Sequence, residues 1–578
     1  MKLFPLLYSA TLASCALDCR PEGPVLPKPF RLSDAATFRR AAIGLAHTFD
    51  AIVARRIEVP WETHNLSFSV AVVSADQADA DAAPLWEYHH RAKGNVDGTD
   101  IIDADSQYLV GSITKVVTDY ILLAAGLDLD VPVKTYLPLL DGAEWDSITL
   151  RMLASQTAGV PTNYGFSDFY FLKDVYLSLG FPPIHESDYP PCGVLGLNGG
   201  CTAQQLQIGL RDSYPVAPPG ARPAYSNAAF ALIALAVEAH TGLNYTQQVH
   251  SLVAQPLGLT STRPSPGNAA KAVIPPGESG WGADYGVNAP QGGLVSSTAD
   301  LSRLARALLS RTSALSPAQT RQWLKPASFS GNVASAVGMP WEVRRYTSLT
   351  PDHPHPIAVY AKSGTAPLYR SQLALVDEYG LGLVVLTAGD NGALGPIYDA
   401  ALSALVGAAD AVTREHAKAE YGRTFVGGGG NNTTTNETVR ARLDLDEDSL
   451  LMSSLARGHA DILAGWVKVL NESLGMFGPK VSDTVRLFPT ELSENVTFEG
   501  DSGVVKEVWR LWPDALVPPA VDMPGSGLDR DDCLGWMMGD WVHYGGEPLD
   551  RVIFYRKGNK VMGFEVPFLR SGIMKALE

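Results

Sequence analysis

The chain has 578 residues, of which 46% are hydrophobic, and a formal net charge of −16. That is enough apolar material for buried cores and enough length for two or three domains. The acidic balance argues against nucleic acid or an anionic membrane surface as a partner. There is no Gly-rich phosphate loop and no ligand-spaced run of His or Cys, so no cofactor and no metal are expected. His89, His90, His353 and His355 read as surface or loop residues.

At the N-terminus, MKLFPLLYSATLASCALDC joins a basic start to an apolar stretch with small residues at Ser14 and Ala16. This predicts a signal peptide over 1–16 and a protein that is secreted or held in the secretory-pathway lumen. No later segment has the uninterrupted apolar length needed to cross a bilayer. Cys15 leaves with the leader; Cys19, Cys192, Cys201 and Cys533 remain, an even number in an oxidising route. Three pairings are possible. The preferred one joins Cys192 to Cys201 in a tight loop and Cys19 to Cys533. Sequons at Asn65, Asn244, Asn431, Asn432, Asn436, Asn471 and Asn495 predict a glycoprotein of a eukaryotic secretory pathway.

The segment YLVGSITKVVTDYILLAAGLDL carries the first chemical motif. Apolar spacing predicts a helix from Ile113 onward, and residues three apart share a helix face, so Lys115 stands one turn from Ser112. A serine hydroxyl is a weak nucleophile until a base takes its proton, and a lysine can be that base where burial or a nearby cation lowers its pKa. The helix N-terminus adds backbone N–H groups for an oxyanion. Alone the signal is weak, since composition yields a bare S-x-x-K on the order of once in a chain of this length.

In PPGARPAYSNAAFALIALAVEAHTG, the turn-rich run from Pro218 to Pro223 leads into an alanine-rich helix over Ala228–His240, with Asn227 as its N-cap. Tyr225 then lies on a rigid loop at a helix entrance, suited to relaying a proton between nucleophile and leaving group. Asn227 offers an amide to Lys115 and to a substrate. Farther on, Ile357 to Lys362, Gln372 to Val376 and Leu381 to Leu386 read as strands. Gly364 lets the backbone approach a ligand, so the N–H of Thr365 can serve an oxyanion beside that of Ser112. Lys362 adds a positive charge suited to a substrate carboxylate.

FVGGGGNNTTTNETVR reads as a flexible linker over 425–440. Beyond it, ARLDLD, SLLMSSLA, VRLFPTEL, VVKEVWRLW, RVIFYRKG and KVMGFEV predict short strands over 441–578, forming an antiparallel barrel or sandwich without chemistry of its own.

S-x-x-K at Ser112, Y-x-N at Tyr225 and K-[ST]-G at Lys362, in this order, resemble the serine β-lactamase and penicillin-binding-protein superfamily. The tyrosine motif points to the class C branch, with its D-alanyl-D-alanine carboxypeptidase and esterase relatives. LDLDVPVKTYLPLL, ITLRMLASQTAGVPTN, QPLGLTST and GLVSSTADLSRLARALL are similar to family segments as well, so the resemblance runs from about residue 35 to 410. It implies an α/β (α+β) fold of the β-lactamase/transpeptidase type over 17–424. That fold is a central antiparallel sheet with helices on both faces and a helical subdomain. The β-rich C-terminal domain resembles the appendage of some fungal secreted β-lactamase-like proteins.

The resemblance further implies Ser112 as nucleophile, Lys115 as its base or hydrogen-bonded activator and Tyr225 as proton shuttle. It makes Asn227 an organiser, Asn163 a substrate-binding amide, and Lys362 the partner of a carboxylate or of Tyr225. Ser363 replaces the commoner threonine and keeps the hydroxyl. Which of Lys115 and Tyr225 takes the first proton stays open. An aromatic, Pro/Gly-rich insertion over about 166–202 departs from the family, is expected over the active-site mouth, and weighs against bacterial-style β-lactam specificity.

Three functions follow. The first is a serine hydrolase acting on an ester, amide or lactam through a Ser112 acyl-enzyme. The second is an acyltransferase or cyclase of small-molecule biosynthesis using the same intermediate. The third is a catalytically silent binding protein. The partner is a small-molecule or peptide acyl substrate, carboxylate-bearing if Lys362 binds a carboxylate; no nucleic acid and no membrane are expected, and the oligomeric state is open.

Overall fold

The computed structural model describes residues 20–77, 84–428, 437–475, 480–516, 521–526 and 539–577. The leader expected at 1–16, Cys19, Cys533 and the sequons at Asn431, Asn432 and Asn436 lie outside these residues. The chain divides into two compact units. One holds Arg31–Leu349 and Pro356–Ala408; the other holds the described parts of 1–30, Thr350–His355 and the chain from Ala409 onward.

The first unit is built on an eight-stranded antiparallel sheet. In chain order its strands are β1 (Ser67–Ser74), β2 (Trp86–His90), β3 (Ser328–Phe329), β4 (Ser335–Val337), β5 (Glu342–Tyr346), β6 (Ile357–Ala366), β7 (Tyr369–Val376) and β8 (Leu381–Ala388). They lie in the order β2-β1-β8-β7-β6-β5-β4-β3, so the first strand pairs with the last across more than 300 residues of chain, Ser67 facing Ala388. The three strands expected between 357 and 386 are all present, each running a few residues farther.

Every position of β1 and of β8 is buried, Ser67, Ser69 and Ser74 included, so both strands are covered on both faces. Side chains on a strand alternate between faces, so Phe68 and Val73 of β1 point to opposite sides. On one side, Phe49 of helix α1 (Ala36–Val53) packs edge-on against Phe68, with ring centroids 5.5 Å apart. On the other, helix α4 (Thr298–Leu309) packs on β1 and β8, its Leu301, Leu304, Leu308 and Leu309 buried at helical spacing. Each such leucine contributes roughly 1.5–3 kcal/mol by leaving water.

Between these helices in the chain lie α2 (Thr114–Ala124) and α3 (Ala228–Thr241), which touch each other and are buried almost all round. Alanines at 228, 229, 231, 234 and 236 give α3 the small surface that lets α2 approach closely. The expected helix at 228–240 is thus observed, but its cap differs. Asn227 occupies the N-cap position without capping; the Ser226 hydroxyl accepts the Ala229 N–H instead, at 3.1 Å, because the Asn227 amide is turned toward Lys115.

The insertion at 166–202 carries only short helical turns and a run of exposed apolar side chains that includes Phe166, Phe171, Leu179 and Phe181. Cys192 and Cys201 form a disulfide within it. His89 and His90, expected as surface or loop residues, lie on strand β2 and are half-buried, with His89 Nδ1 2.9 Å from Ser69 Oγ.

The second unit is an antiparallel, nearly closed β barrel. In chain order its strands are β9 (Thr424–Gly427), β10 (Val439–Leu445), β11 (Leu450–Arg457), β12 (Ala460–Asp461), β13 (Lys480–Phe498), β14 (Asp501–Leu516), β15 (Arg551–Lys557), β16 (Lys560–Glu565) and β17 (Lys575–Ala576). The path is β16-β15-β14-β13-β11-β10-β9-β17, with β12 beside β11. Reciprocal backbone hydrogen bonds between Phe564 and Met574 draw its two edges together, at 2.9 and 2.7 Å. Of the stretch expected as a linker at 425–440, residues 429–436 lie outside the described residues, and β9 and β10 pair on either side of it. β13 and β14 are long strands where short ones were expected, bent by register shifts such as that between Pro489 and Ser493. Helix Ile462–Leu474 was not expected, although Trp466, Val467, Leu470 and Leu474 bury one face and Asp461 caps its start. His355, expected as a surface or loop residue, lies in a loop and is buried.

Candidate active site

Ser112 sits in a single 3-10 turn, Gly111–Ile113, that feeds directly into α2. Gly111 has φ +49, a left-handed conformation that favours glycine, and a Cβ there would lie 2.4 Å from the Thr365 nitrogen. A Cβ on Gly364 would lie 3.1 Å from the Ser112 nitrogen and 2.1 Å from the Val110 carbonyl oxygen. Two glycines therefore let β6 and the nucleophile turn meet backbone to backbone. The amides of Ser112 and Thr365 come together as a result.

Around the Ser112 hydroxyl the other predicted residues converge. Lys115 Nζ donates to Ser112 Oγ at 2.9 Å and Tyr225 Oη donates to the same oxygen at 2.8 Å. Lys115 also donates to Asn227 Oδ1 at 2.8 Å and to the Gln291 carbonyl at 2.5 Å. Asn227 Nδ2 donates to Asn163 Oδ1 at 2.9 Å, and Asn163 Nδ2 to Ser167 Oγ at 2.9 Å, where the insertion begins. Tyr225 lies between two lysines: Lys115 Nζ is 5.0 Å and Lys362 Nζ 5.3 Å from its ring centroid.

Lys115 is fully buried, and burial holds its ammonium well below the usual lysine range. The Lys362 charge pushes the same way; Glu342 and Asp119 oppose it. Asp119, one turn farther along α2, is itself held well above the usual carboxylate range by burial, with Lys115 opposing. Both directions favour the neutral forms inside this core. A neutral Lys115 has two N–H bonds and one lone pair. In that form Asn227 Oδ1 and the Gln291 carbonyl, which can only accept, take the two hydrogens, and the 2.9 Å contact with Ser112 Oγ reverses, the hydroxyl donating to the nitrogen lone pair.

Lys362 is buried and donates to Glu342 Oε1 at 2.5 Å and to the Ser363 carbonyl at 3.0 Å. Glu342 also accepts from the Ser363 hydroxyl and the Ser363 N–H, each at 3.0 Å. Thr365 is exposed beyond this pair.

Thus Ser112, Lys115, Tyr225, Asn163, Asn227, Lys362, Ser363 and Thr365 are all drawn to one place. Sequence reasoning missed Glu342, Gln291 and Asp119. Asp119 had a signal, since it follows Lys115 by four residues on an apolar helix; Gln291 had none, because it contributes a carbonyl that any residue carries. Of the sequons, Asn244 and Asn495 are exposed and Asn65 and Asn471 half-buried; Asn471 is bound on both sides of its amide to Val481. Among the described residues no cluster of His, Cys, Asp and Glu could hold a metal ion, and no helix is long and apolar enough to cross a membrane.

The sequence model of the Beta-lactamase family matches residues 49–408, and that of the "Beta-lactamase-like-like, C-terminal domain" matches residues 413–576. The chain is 40% identical to the "Beta-lactamase-like protein" of Arthroderma benhamiae, across 99% of this chain and 98% of that protein. It is 28% identical to "Probable hydrolase M10" of a Phoma species, across 95% of this chain and 90% of that one. To "Probable hydrolase clz13" of Cochliobolus lunatus it is 27% identical, across 89% and 86%. Ordered motifs, fold and relatives agree: the chain belongs to the β-lactamase family and carries the C-terminal domain of the β-lactamase-like proteins.

Proposed function

We propose that this protein is a secreted serine hydrolase that opens an ester, amide or lactam through an acyl-enzyme on Ser112. The observation that carries the reading is the Ser112 hydroxyl itself, met at 2.9 Å by a buried lysine and at 2.8 Å by a tyrosine. The names of the Phoma and Cochliobolus relatives support a hydrolase, and the leader-like N-terminus with its sequons supports secretion.

In the first step Ser112 Oγ attacks the substrate carbonyl carbon and its proton passes to the neutral Lys115 Nζ. The oxygen that gains the electron pair is received by the N–H groups of Ser112 and Thr365, fixed donors of the kind that typically contribute a factor of about 10²–10³ each. As the carbonyl re-forms, the bond to the leaving group breaks. That group takes a proton from Tyr225, which recovers one from Lys115 across the Ser112 position. Water then attacks the acyl-enzyme by the reverse of this sequence, and Ser112 is regenerated.

The test is pre-steady-state kinetics with an activated phenyl ester. A burst of phenol equal in amount to the protein, followed by slower turnover and abolished in Ser112→Ala, is the expected result. Turnover that survives in Ser112→Ala overturns the assignment. Product analysis with an added amine or alcohol separates free acid, the hydrolase outcome, from a new ester or amide, the outcome of an acyltransferase.

A further inference from the structure

The insertion at 166–202 uses its polar groups on itself. The Tyr170 hydroxyl donates to Glu186 Oε1 at 2.6 Å and accepts from Lys173 Nζ at 3.0 Å. Asn198 accepts the Val194 N–H and donates to the Pro190 carbonyl, each at 2.8 Å. The Cys192–Cys201 disulfide closes the end of the segment, and inside that loop the Gly193 N–H donates to the Gly199 carbonyl at 2.7 Å. Tyr170 packs edge-on against Tyr189, and Phe169 against Phe171.

What this cross-linked segment leaves outside is apolar. Among the described residues 28 large apolar side chains are exposed, and ten of them lie between Phe166 and Leu195. The helix Lys173–Ser178 buries none of its residues, and Leu179 beyond it is 70% exposed. Soluble domains keep exposed apolar patches small, so a concentration of this kind marks a contact surface.

Its place identifies the contact. At the start of the insertion Ser167 accepts from Asn163, which accepts from Asn227, the amide that holds Lys115. After the helix Ala203–Arg211 that follows the insertion, the exposed Tyr214 and Val216 lead into the turn-rich run that carries Tyr225. Backbone hydrogen bonds from Val216 to Gly159, Gly220 to Thr157 and Ala224 to Gln156, each 2.8 Å, fasten that run beside the segment bearing Asn163. The exposed apolar residues thus follow directly on those that surround Ser112, and the Tyr225 residue is itself 44% exposed. The net charge of −16 disfavours an anionic lipid surface as the occupant, and a second copy seated there would lie across the way to Ser112.

We propose that the exposed apolar face of the insertion binds the hydrocarbon chain of a single substrate molecule, so that the enzyme prefers long apolar chains to short ones. The inference rests on the hydrolase reading above and narrows its substrate class to lipophilic esters, amides and lactams. The physical reason is burial on both sides: each methylene that fully leaves water favours the complex by about fourfold.

The experiment uses the full-length protein and two ester series, each kept below its critical micelle concentration. One series lengthens the acyl group of a nitrophenyl ester from acetyl to octanoyl. The other lengthens the para-alkyl group of a phenyl acetate from methyl to octyl. Fluorophosphonate labelling of Ser112 is run first. In at least one series kcat/KM is expected to rise by about tenfold or more from shortest to longest. Combining Phe166→Ser, Phe171→Ser and Leu179→Ser, all at least half exposed, is expected to lower that long-to-short ratio by about fivefold or more.

Labelled protein with flat kcat/KM in both series overturns this inference and leaves the hydrolase reading standing. A triple variant that keeps the wild-type ratio places the chain elsewhere and overturns it too. So does a rate that rises only above the critical micelle concentration, the mark of a lipid surface. A dimer in sedimentation that the triple variant converts to monomer makes a second copy the occupant and has the same consequence. Protein that takes no fluorophosphonate label refutes the hydrolase reading itself, and this inference with it.

Discussion

Gly364→Ala adds one methyl group where β6 meets the nucleophile turn. Its Cβ would lie 2.1 Å from the Val110 carbonyl oxygen, 2.2 Å from Ser371 Oγ and 3.1 Å from the Ser112 nitrogen. The Ser371 hydroxyl can rotate away. The Val110 carbonyl cannot, because its own residue is pinned by the hydrogen bond from Val110 N–H to the Leu294 carbonyl at 3.0 Å. Ordinary contact begins near 3.4 Å, so β6 and the turn must separate by about 1.3 Å. That movement carries the Thr365 N–H away from the Ser112 N–H and leaves the lysine and tyrosine contacts of Ser112 in place.

Loss of one such donor costs a factor of about 10²–10³ in kcat, or about 2.7–4 kcal/mol of transition-state stabilisation. Overpacking would lower stability by about 1–3 kcal/mol as well. The assay is therefore kcat and KM on an activated ester, taken well below the melting temperature of the variant measured by circular dichroism. A kcat within about threefold of the wild-type value, in folded protein, would refute the claim that β6 supplies an oxyanion donor.

Lys362→Gln removes a charge that helps hold the Lys115 ammonium below its usual range. Lys115 then keeps its proton to higher pH, so the acid limb of kcat/KM against pH moves upward; a limb that stays in place means that it does not report Lys115. Arg486, nearly buried, bonds Asp446, Asp448 and Asp514. Arg486→Ala leaves these acids facing one another and is expected to lower stability in urea titration by about 2–3 kcal/mol, the two outer acids being partly screened by water. A loss below about 0.5 kcal/mol would mean that the cluster contributes nothing to the barrel. Breaking the disulfide with Cys192→Ser frees a loop of 9-residue separation, for which chain entropy gives about 2–3 kcal/mol. The melting temperature should fall accordingly; an unchanged melting temperature would mean that this loop contributes nothing to stability.

The site was legible where function depends on spacing along one element. Ser112 and Lys115 are one helical turn apart, and Tyr225 and Asn227 frame a helix entrance that turn residues announce. Lys362 and Gly364 lie on a strand whose alternation is clear. Glu342 was not legible: it lies twenty residues before its partner Lys362, in a WEVRRY stretch that carries no motif. Only the antiparallel pairing of β5 with β6 makes them neighbours. The same limit hid the sheet order, since nothing local in SFSVAVVS names Ala388 as the partner of Ser67. The helix Ile462–Leu474 was missed for a different reason. Its apolar face is at the right spacing, but the strand signals on both sides dominated the reading.

The most direct measurement is the intact mass of the protein after exposure to a fluorophosphonate, beside the Ser112→Ala variant under the same conditions. The expected result is one adduct per chain in the wild-type protein and none in the variant. An adduct of equal yield in Ser112→Ala, or no adduct on wild-type protein shown to be folded, would contradict the assignment of Ser112 as nucleophile.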